Sequence, residues 1–366
     1  MAHPGAWGAL LATLLFALFV PCVLLGVPDR PRSTLRLHFL LEPYFAHWSA
    51  AFGASIPIAL FAAGSAVISA MRGRAPELPY GFAIGAYSAL LVLSLWGVYV
   101  RRRWVVVRSI DVPVAGLGRD LDGYRILQLS DLHIGGLTPA YWAARWVEKA
   151  NRQRPDLVVV TGDLVTNGTA FHLSIADVLE GLEAPDGVLV SLGNHDHFSR
   201  AEPLVTMLSA RGLQVLSNAG IAVRRGSAEI YVAGVDDSSP GQADVDSALA
   251  ANKPGTPVIL LAHDPALFDA ARDRTDLVLS GHTHGGQIGV PFFARHVGIG
   301  RLTQRRHLGL YREGRATLYV SPGLGTTGPP LRLGVAPEIT LFVLRSATSR
   351  ATHGRDDGEH VIGAEH

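Results

Sequence analysis

Residues 124–133 read YRILQLSDLH, a short apolar strand that runs directly into Asp131 and His133. Other apolar runs in the chain end in the same way, at the motifs Gly162-Asp163, Gly193-Asn194-His195-Asp196, His263 and Gly281-His282-Thr283-His284. Ligands of open α/β sheets collect at the carboxyl ends of strands. If these strand ends converge at one edge, their polar residues form a single site.

Each motif taken alone has an ordinary structural explanation. An Asp-x-His spacing puts two side chains on one side of extended backbone, and Gly-Asp or Gly-Asn-His-Asp is common turn chemistry. A lone histidine such as His263 is more often hydrogen-bonded in a core than bound to a metal. The ordered set is what indicates a metal site, with three oxygen ligands and four imidazoles.

The chain around these motifs alternates short apolar runs with helix-like stretches, which favours an α/β layered fold. We predict strands at 105–112, 124–129, 156–161, 188–192, 230–234, 258–262, 277–279, 318–320 and 339–344. We predict helices near 139–152, 172–182, 202–211, 243–250 and 265–272. This domain covers residues 105–345, and the polar tail 346–366 is expected to be disordered.

Residues 1–104 differ in composition from this domain and are expected to form a membrane region. The first hundred residues carry only eight charged side chains, and the stretches 5–27, 45–71 and 78–100 carry none. A 23-residue helix is about 35 Å long, which exceeds a hydrocarbon core of about 30 Å. We therefore predict three transmembrane helices. The first could instead be a cleaved signal peptide, but no Lys or Arg precedes its long apolar run, which favours an anchor.

The arginine distribution predicts the orientation of a multi-pass protein in the plasma or inner membrane. With three spans, the connector after the first span and the C-terminal domain lie on one side. That side has six arginines, whereas the other has two; the two sets are Arg30, Arg32, Arg36, Arg101, Arg102 and Arg103 against Arg72 and Arg74. Positive residues favour the cytoplasmic side, so we predict that the C-terminal domain is cytoplasmic.

Net charge and cysteine content exclude several classes of protein. The formal net charge is +1, so no nucleic-acid partner is expected from bulk attraction. Cys22 is the only cysteine, which excludes an intrachain disulfide framework, a zinc ribbon and an iron–sulfur site.

Over residues 105–345 the motifs resemble those of the calcineurin-like metallophosphoesterases. Residues 281–287 (GHTHGGQ), 321–325 (SPGLG) and 337–339 (PEI) are similar to the bacterial branch that has an N-terminal membrane segment. The chain also resembles animal transmembrane proteins that carry this domain. The resemblance implies a four-layer α-β-β-α metallophosphoesterase sandwich preceded by a helical transmembrane region.

The resemblance also implies a dinuclear metal centre. One metal would take Asp131, His133 and His284, the other would take Asn194, His263 and His282, and Asp163 would bridge them. This donor set lacks thiolate and fits manganese, iron or zinc better than calcium. His195 would stabilise the transition state or protonate the leaving oxygen, and Asp196 could orient His195 or serve a structural role.

The function expected from these features is hydrolysis of a phosphodiester or pyrophosphate bond by hydroxide held at two divalent metal ions. The membrane region favours a phospholipid or a lipid-linked nucleotide as substrate. The alternatives are a phosphatase or nuclease with a soluble substrate, and a non-catalytic metal-binding scaffold. Segment 291–314, with Phe292, Phe293, Arg301, Arg305 and Arg306, is either a surface loop or a substrate lid whose arginines bind phosphate.

Overall fold

The computed structural model describes residues 37–74, 80–198, 200–239, 241–290 and 293–346, together with the backbone of 359–362. The chain divides into two compact units. The described residues between 37 and 103 and the segment Gly328–Leu333 form a helical unit. The remaining described residues form an α/β unit, which begins at Trp104.

The helical unit contains two long apolar helices, α1 Glu42–Met71 and α2 Tyr80–Tyr99. By length and composition each is able to cross a membrane, and most of each apolar stretch faces outward. They correspond to the second and third predicted spans. The first predicted span, residues 5–27, lies outside the described residues.

An ion-pair cluster joins the start of α1 to the end of α2. The carboxylate of Glu42 is fully buried and accepts hydrogen bonds of 2.8 Å from Arg103, while Arg102 lies 3.5 Å away. His38 Nδ1 lies 2.8 Å from the same carboxylate. Removing a carboxylate from water costs on the order of several kcal/mol of free energy, so a buried carboxylate needs such partners. The cluster therefore fixes α1 and α2 as an antiparallel pair.

The α/β unit has strands β1 Val106–Val114, β2 Arg125–Leu129, β3 Leu157–Thr161, β4 Val188–Ser191, β5 Gln214–Val215, β6 Ala219–Arg225, β7 Ala228–Gly234, β8 Val258–Leu261, β9 Leu277–Ser280, β10 Gly309–Glu313, β11 Ala316–Val320, β12 Glu338–Ser346 and β13 Glu359–Ile362. Its helices are α3 Ala140–Asn151, α4 His172–Leu179, α5 Asn194–His197, α6 Ala201–Ser209, α7 Val245–Leu249, α8 Phe268–Ala271 and α9 Ile299–Thr303.

These strands form two sheets. One has the order β13-β1-β12-β2-β3-β4-β5 and the other β10-β11-β9-β8-β7-β6. Strands β2, β3 and β4 are parallel, and so are β7, β8, β9 and β11. In both sheets the central strands are therefore parallel, so their carboxyl ends share one edge.

Alternation along the strands separates three apolar layers. Ile126 of β2 points into the layer between the two sheets, whereas Leu127 packs against the layer of α3, α4 and α6. On the far side, Val258 of β8 packs with Phe268 of α8. The four-layer α-β-β-α sandwich predicted from the sequence is confirmed.

The structure also contains strands that the sequence pattern did not predict, namely β5, β6, β10 and β13. Strand β6 is mostly half-buried or exposed, with only Val223 buried, and both β6 and β10 lie at sheet edges, β10 inside segment 291–314. Neither strand is continuously buried, because an edge strand leaves part of its surface exposed. Within the polar tail, residues 359–362 pair antiparallel with β1.

Candidate metal centre

The predicted ligands all follow central strands. Asp131 and His133 follow β2, Asp163 follows β3 and Asn194 begins the short helix α5 after β4. In the second sheet, His263 follows β8, while His282 and His284 follow β9. The structure thus places all seven residues at the carboxyl edges of two parallel strand sets.

Most of these residues turn the chain sharply as it leaves the sheet. The backbone of five predicted ligands is in the left-handed region, which ordinary side chains seldom adopt; their φ angles are 51° at Asp131, 47° at His133, 54° at Asp163, 70° at His282 and 52° at His284. Such conformations cost about 1–3 kcal/mol each and cluster at functional sites. Here the turns direct successive side chains inward from extended backbone.

One group of potential ligands comprises Asp131, His133, Asp163 and His284, all buried, with ligand atoms within 4.8 Å of one another. The Nε2 atoms of His133 and His284 are 2.9 Å apart. Asp131 Oδ1 lies 3.4 Å from His284 Nε2, and Asp163 Oδ2 lies 3.3 Å from His133 Nε2. Four donor atoms therefore converge on a single point.

A second group comprises Asp163, His263 and His282. Asp163 Oδ2 lies 3.2 Å from His263 Nε2, and His282 Nδ1 lies 2.9 Å from Asn194 Oδ1. Asn194 therefore adjoins this second group. Because Asp163 belongs to both groups, its carboxylate occupies the position expected of a bridging ligand.

The hydrogen bonds around these groups fit metal binding. His263 Nδ1 lies 2.8 Å from the Thr161 carbonyl oxygen, which can only accept, so Nδ1 carries a proton and Nε2 is the ring atom that can offer a lone pair to a metal. That buried Nε2 faces Asp163 Oδ2 at 3.2 Å. Asp163 Oδ1 accepts from the His195 backbone N–H at 2.9 Å, which leaves Oδ2 for the two histidines. Imidazole, carboxylate and amide donors suit a divalent transition metal.

The pKa values of Asp163 and His263 are also consistent with metal binding at this site. Burial alone would raise the pKa of Asp163, but the charge on His263 and hydrogen bonds from His133 and His263 hold it well below its usual value. Burial favours neutral His263, yet the Asp163 carboxylate raises the pKa of His263 well above the ordinary value. A metal ion can replace that proton as the partner of the carboxylate.

The ring of His195 is fixed beside the first group of ligands. Its Nδ1 donates to the carbonyl oxygen of Thr166 at 2.7 Å, and its ring centroid lies 4.6 Å from that of His133. Phe198 covers another side of the ring at 4.5 Å between centroids. Burial, followed by the charge on His133, lowers the pKa of His195. With Nδ1 held by a carbonyl, Nε2 is the ring atom that can exchange a proton.

Asp196 holds the loops that follow β3 and β4. Its fully buried carboxylate accepts backbone N–H groups of Leu164 and Val165 at 2.9 and 3.2 Å, and of Gly193 at 3.0 Å. Burial and the nearby charge of Asp163 raise the pKa of Asp196 to about 7. Thr166 supplies the contact that orients His195, so these bonds support the structural role for Asp196.

The three arginines proposed to bind substrate lie in different surroundings. Arg306 is buried, and its guanidinium pairs with Asp269 and Glu313 at 2.8 Å. Arg301 and Arg305 are exposed. The predicted lid residue Phe292 lies outside the described residues, whereas Phe293 is described and exposed.

Two features near the site were not predicted. Thr166 acts through its backbone carbonyl, which no sequence pattern reveals. Asp237 follows β7 and is buried, and its Oδ2 has no hydrogen-bond partner among the described residues. Burial raises the pKa of Asp237, and the charges of His263 and His282 act on it in the opposite direction. The segment Gly234-Val235-Asp236-Asp237 repeats the strand-then-carboxylate pattern and could have identified it.

Comparison with known proteins gives consistent matches. A family model described as calcineurin-like phosphoesterase matches residues 124–286. The metallophosphoesterase YkuE of Bacillus subtilis is 36% identical over 236 residues, 62% of this chain and 80% of the relative. A transmembrane protein with metallophosphoesterase domain from Danio rerio is 34% identical, and the match covers 70% of this chain but only 61% of that protein's length. A metallophosphoesterase of Helicobacter pylori is 31% identical over 76% of this chain and 74% of the relative.

Replacement of the shared carboxylate tests the centre directly. We expect Asp163→Asn to lower the metal content of the purified protein and to abolish phosphoesterase activity, because both groups of ligands lose the carboxylate that they share. Metal content would be measured by mass spectrometry and folding by circular dichroism. Asp177→Asn, at an exposed position of the same unit, is the matched control. Unchanged metal content and turnover in Asp163→Asn would remove Asp163 from the centre.

Proposed function

This chain belongs to the calcineurin-like phosphoesterase family and is a metal-dependent phosphoric ester hydrolase, and we propose that it cleaves a phosphodiester or pyrophosphate bond in a phospholipid or a lipid-linked nucleotide. The observation that carries the reaction class is the Asp163 carboxylate shared by two groups of histidine and aspartate ligands. We propose that each group holds one divalent ion of manganese, iron or zinc.

The residues of the site divide the chemistry between them. Divalent ions, when bound, supply Lewis acidity toward the phosphoryl oxygens and lower the pKa of water. Asp163 keeps both ligand groups together and offsets their positive charge. His195 keeps Nε2 available for proton exchange, since the Thr166 carbonyl holds Nδ1. We assign to this Nε2 the proton that the leaving oxygen receives.

Three observations support a lipid substrate. Helices α1 and α2 are long and apolar enough to cross a bilayer, and a relative is named a transmembrane protein with this domain. Phe198 exposes 58% of its surface directly beside His195. An exposed aromatic ring next to the proton-exchanging group suits a leaving group with an apolar portion.

We also propose that the chain is a multi-pass membrane protein whose α/β unit is cytoplasmic. The basis is the six-to-two distribution of arginines between the two sides of the predicted spans.

The experiment that tests the function uses purified full-length protein with manganese. We expect hydrolysis of bis-p-nitrophenyl phosphate, because the ligand set is complete. We expect fractionated lipid extracts to contain a competing substrate, whereas nucleotides and nucleic acids compete weakly. Absence of turnover with every divalent metal would favour the alternative function, a non-catalytic metal-binding scaffold. Competition by nucleotides alone would favour a soluble substrate, with the helices serving only for location.

The role of His195 predicts a dependence on the leaving group. We expect His195→Ala to retain metal but to lower turnover about 10²–10⁴-fold for poor leaving groups, the usual range for general acid catalysis. The loss should shrink for p-nitrophenolate, which needs less protonation. His296→Ala, at an exposed histidine of the same unit, is the control. An equal loss for good and poor leaving groups would exclude the acid role and leave electrostatic stabilisation.

The proposed orientation predicts the behaviour of reporter fusions. A fluorescent protein that matures only in the cytoplasm should be active when fused to the C-terminus, and alkaline phosphatase at the same position should be inactive. A fusion after Arg74 should give the opposite pattern, because that connector lies on the other side. Active alkaline phosphatase at the C-terminus would overturn the proposed topology.

A further inference from the structure

The α/β unit concentrates its exposed apolar side chains in one short stretch. Five of the nine large apolar residues that are exposed in its described part lie between 290 and 302, and they are Val290, Phe293, Val297, Ile299 and Leu302. Leu302 exposes 86% of its surface and Phe293 exposes 59%. We call these five residues the apolar surface.

Backbone pairing makes the five residues neighbours. Residues 288–290 pair with 297–299 through hydrogen bonds from Val290 N to Val297 O and from Ile299 N to Ile288 O. Val290, Val297 and Ile299 therefore project from one face of this ribbon, because side chains alternate along extended backbone. Leu302 follows Ile299 by one turn of α9, and Val297 N donates to Phe293 O at 2.7 Å. The surface is continuous rather than scattered.

The opposite face of the ribbon packs against the rest of the α/β unit. The large apolar side chains therefore belong to the outer face and not to the core. A Cβ at Gly298 would lie 3.0 Å from the Ala294 carbonyl oxygen, and Ala294 is buried. A Cβ at Gly300 would lie 2.6 Å from the ring of His307. The glycines allow this close packing and leave the large side chains on the outer face.

Charge on the same stretch is of one sign. Residues 285–312 contain no Asp or Glu, and Arg295, Arg301 and Arg305 lie within or next to the apolar surface and are exposed. Arginines beside aromatic and aliphatic side chains suit the boundary between lipid headgroups and acyl chains. An anionic phospholipid surface therefore matches both the shape and the charge.

The base of the stretch is fixed to the metal-binding turn. Thr283, between His282 and His284, donates its hydroxyl to the His307 carbonyl oxygen at 2.6 Å. Residue 300 also approaches the turn closely, since a Cβ at Gly286 would lie 2.1 Å from Gly300 N. Arg306 anchors the segment through Asp269 and Glu313. A surface docked on lipid would hold the histidine ligands close to that lipid.

We propose that the apolar surface inserts into the interfacial layer of an anionic phospholipid bilayer and so presents headgroups to the metal centre. This inference rests on the proposed lipid substrate and names the partner of the same site. The apolar side chains displace water from the headgroup region, and Arg301 and Arg305 contact lipid phosphates.

The test measures contact with lipid and does not depend on catalysis. Full-length protein with Cys22→Ser and Leu302→Cys is labelled with an environment-sensitive fluorophore and reconstituted in phosphatidylcholine vesicles that contain about a quarter phosphatidylglycerol. Leu173→Cys, at a site on α4 that is 54% exposed and lies outside the apolar surface, is the control. We expect quenching by spin-labelled lipid to be about twofold or more greater at position 302, because the probe enters the interface. Arg301→Gln with Arg305→Gln should reduce that quenching in anionic vesicles.

The outcomes separate this inference from the proposed function. Equal quenching at positions 302 and 173 would overturn lipid docking. A probe at position 302 that is shielded from water but not quenched by spin-labelled lipid would also overturn it, because that result is expected for a protein partner or a second copy. Hydrolysis of bis-p-nitrophenyl phosphate by the labelled Leu302→Cys protein is measured in parallel. Retained hydrolysis without quenching by lipid would leave the proposed phosphoesterase function standing and would contradict only the lipid-docking surface.

Discussion

The buried carboxylate of Asp163 is the group on which the rest of the site depends. An ionised carboxylate removed from water costs several kcal/mol, on the order of other buried ions, unless it is paired and hydrogen-bonded. Here one oxygen accepts the His195 N–H, and the other faces His133 and His263. Its partners come from the ends of β2, β4 and β8, which belong to both sheets. The relative placement of the two sheets is therefore tied to the requirements of one anion.

The loops that carry the ligands are joined to each other before any metal is considered. Asp131 N donates to Gly162 O at 3.0 Å, and His133 N donates to Asp163 O at 2.9 Å. Close packing adds a second constraint, because a Cβ at Gly281 would lie 2.2 Å from Asp131 Oδ2. The glycine that precedes His282 is thus required by the space beside a ligand. Left-handed backbone at the ligands and hydrogen bonds between the loops keep the donor atoms in place, which is the preorganisation that metal-assisted hydrolysis needs.

Segment 291–314 illustrates how one stretch of sequence separates into parts with different roles. Arg306 and His307 are buried and connect the segment to α8, to β10 and to the metal-binding turn. The described residues before them expose large apolar side chains and arginines. Arginines that read alike in sequence therefore differ in the structure, because Arg306 has carboxylate partners on α8 and β10 whereas Arg301 and Arg305 face solvent.

The sequence by itself determined the α/β class, the two long apolar helices and the residues that gather at the site, because each depends on local features. Apolar strands that end in Asp, Asn or His indicate ligands at a sheet edge, and uncharged runs of more than 20 residues indicate membrane helices, which need about that length. Only the tertiary structure decided the edge strands β6 and β10, the hydrogen bond from His195 to Thr166, the backbone contacts of Asp196 and the buried position of Asp237. These depend on contacts between residues distant in the chain or on a backbone carbonyl, whose position no side-chain pattern encodes. The division follows from physics, since periodicity reports which face is buried, whereas the partner across that face is set by the packing of the two sheets.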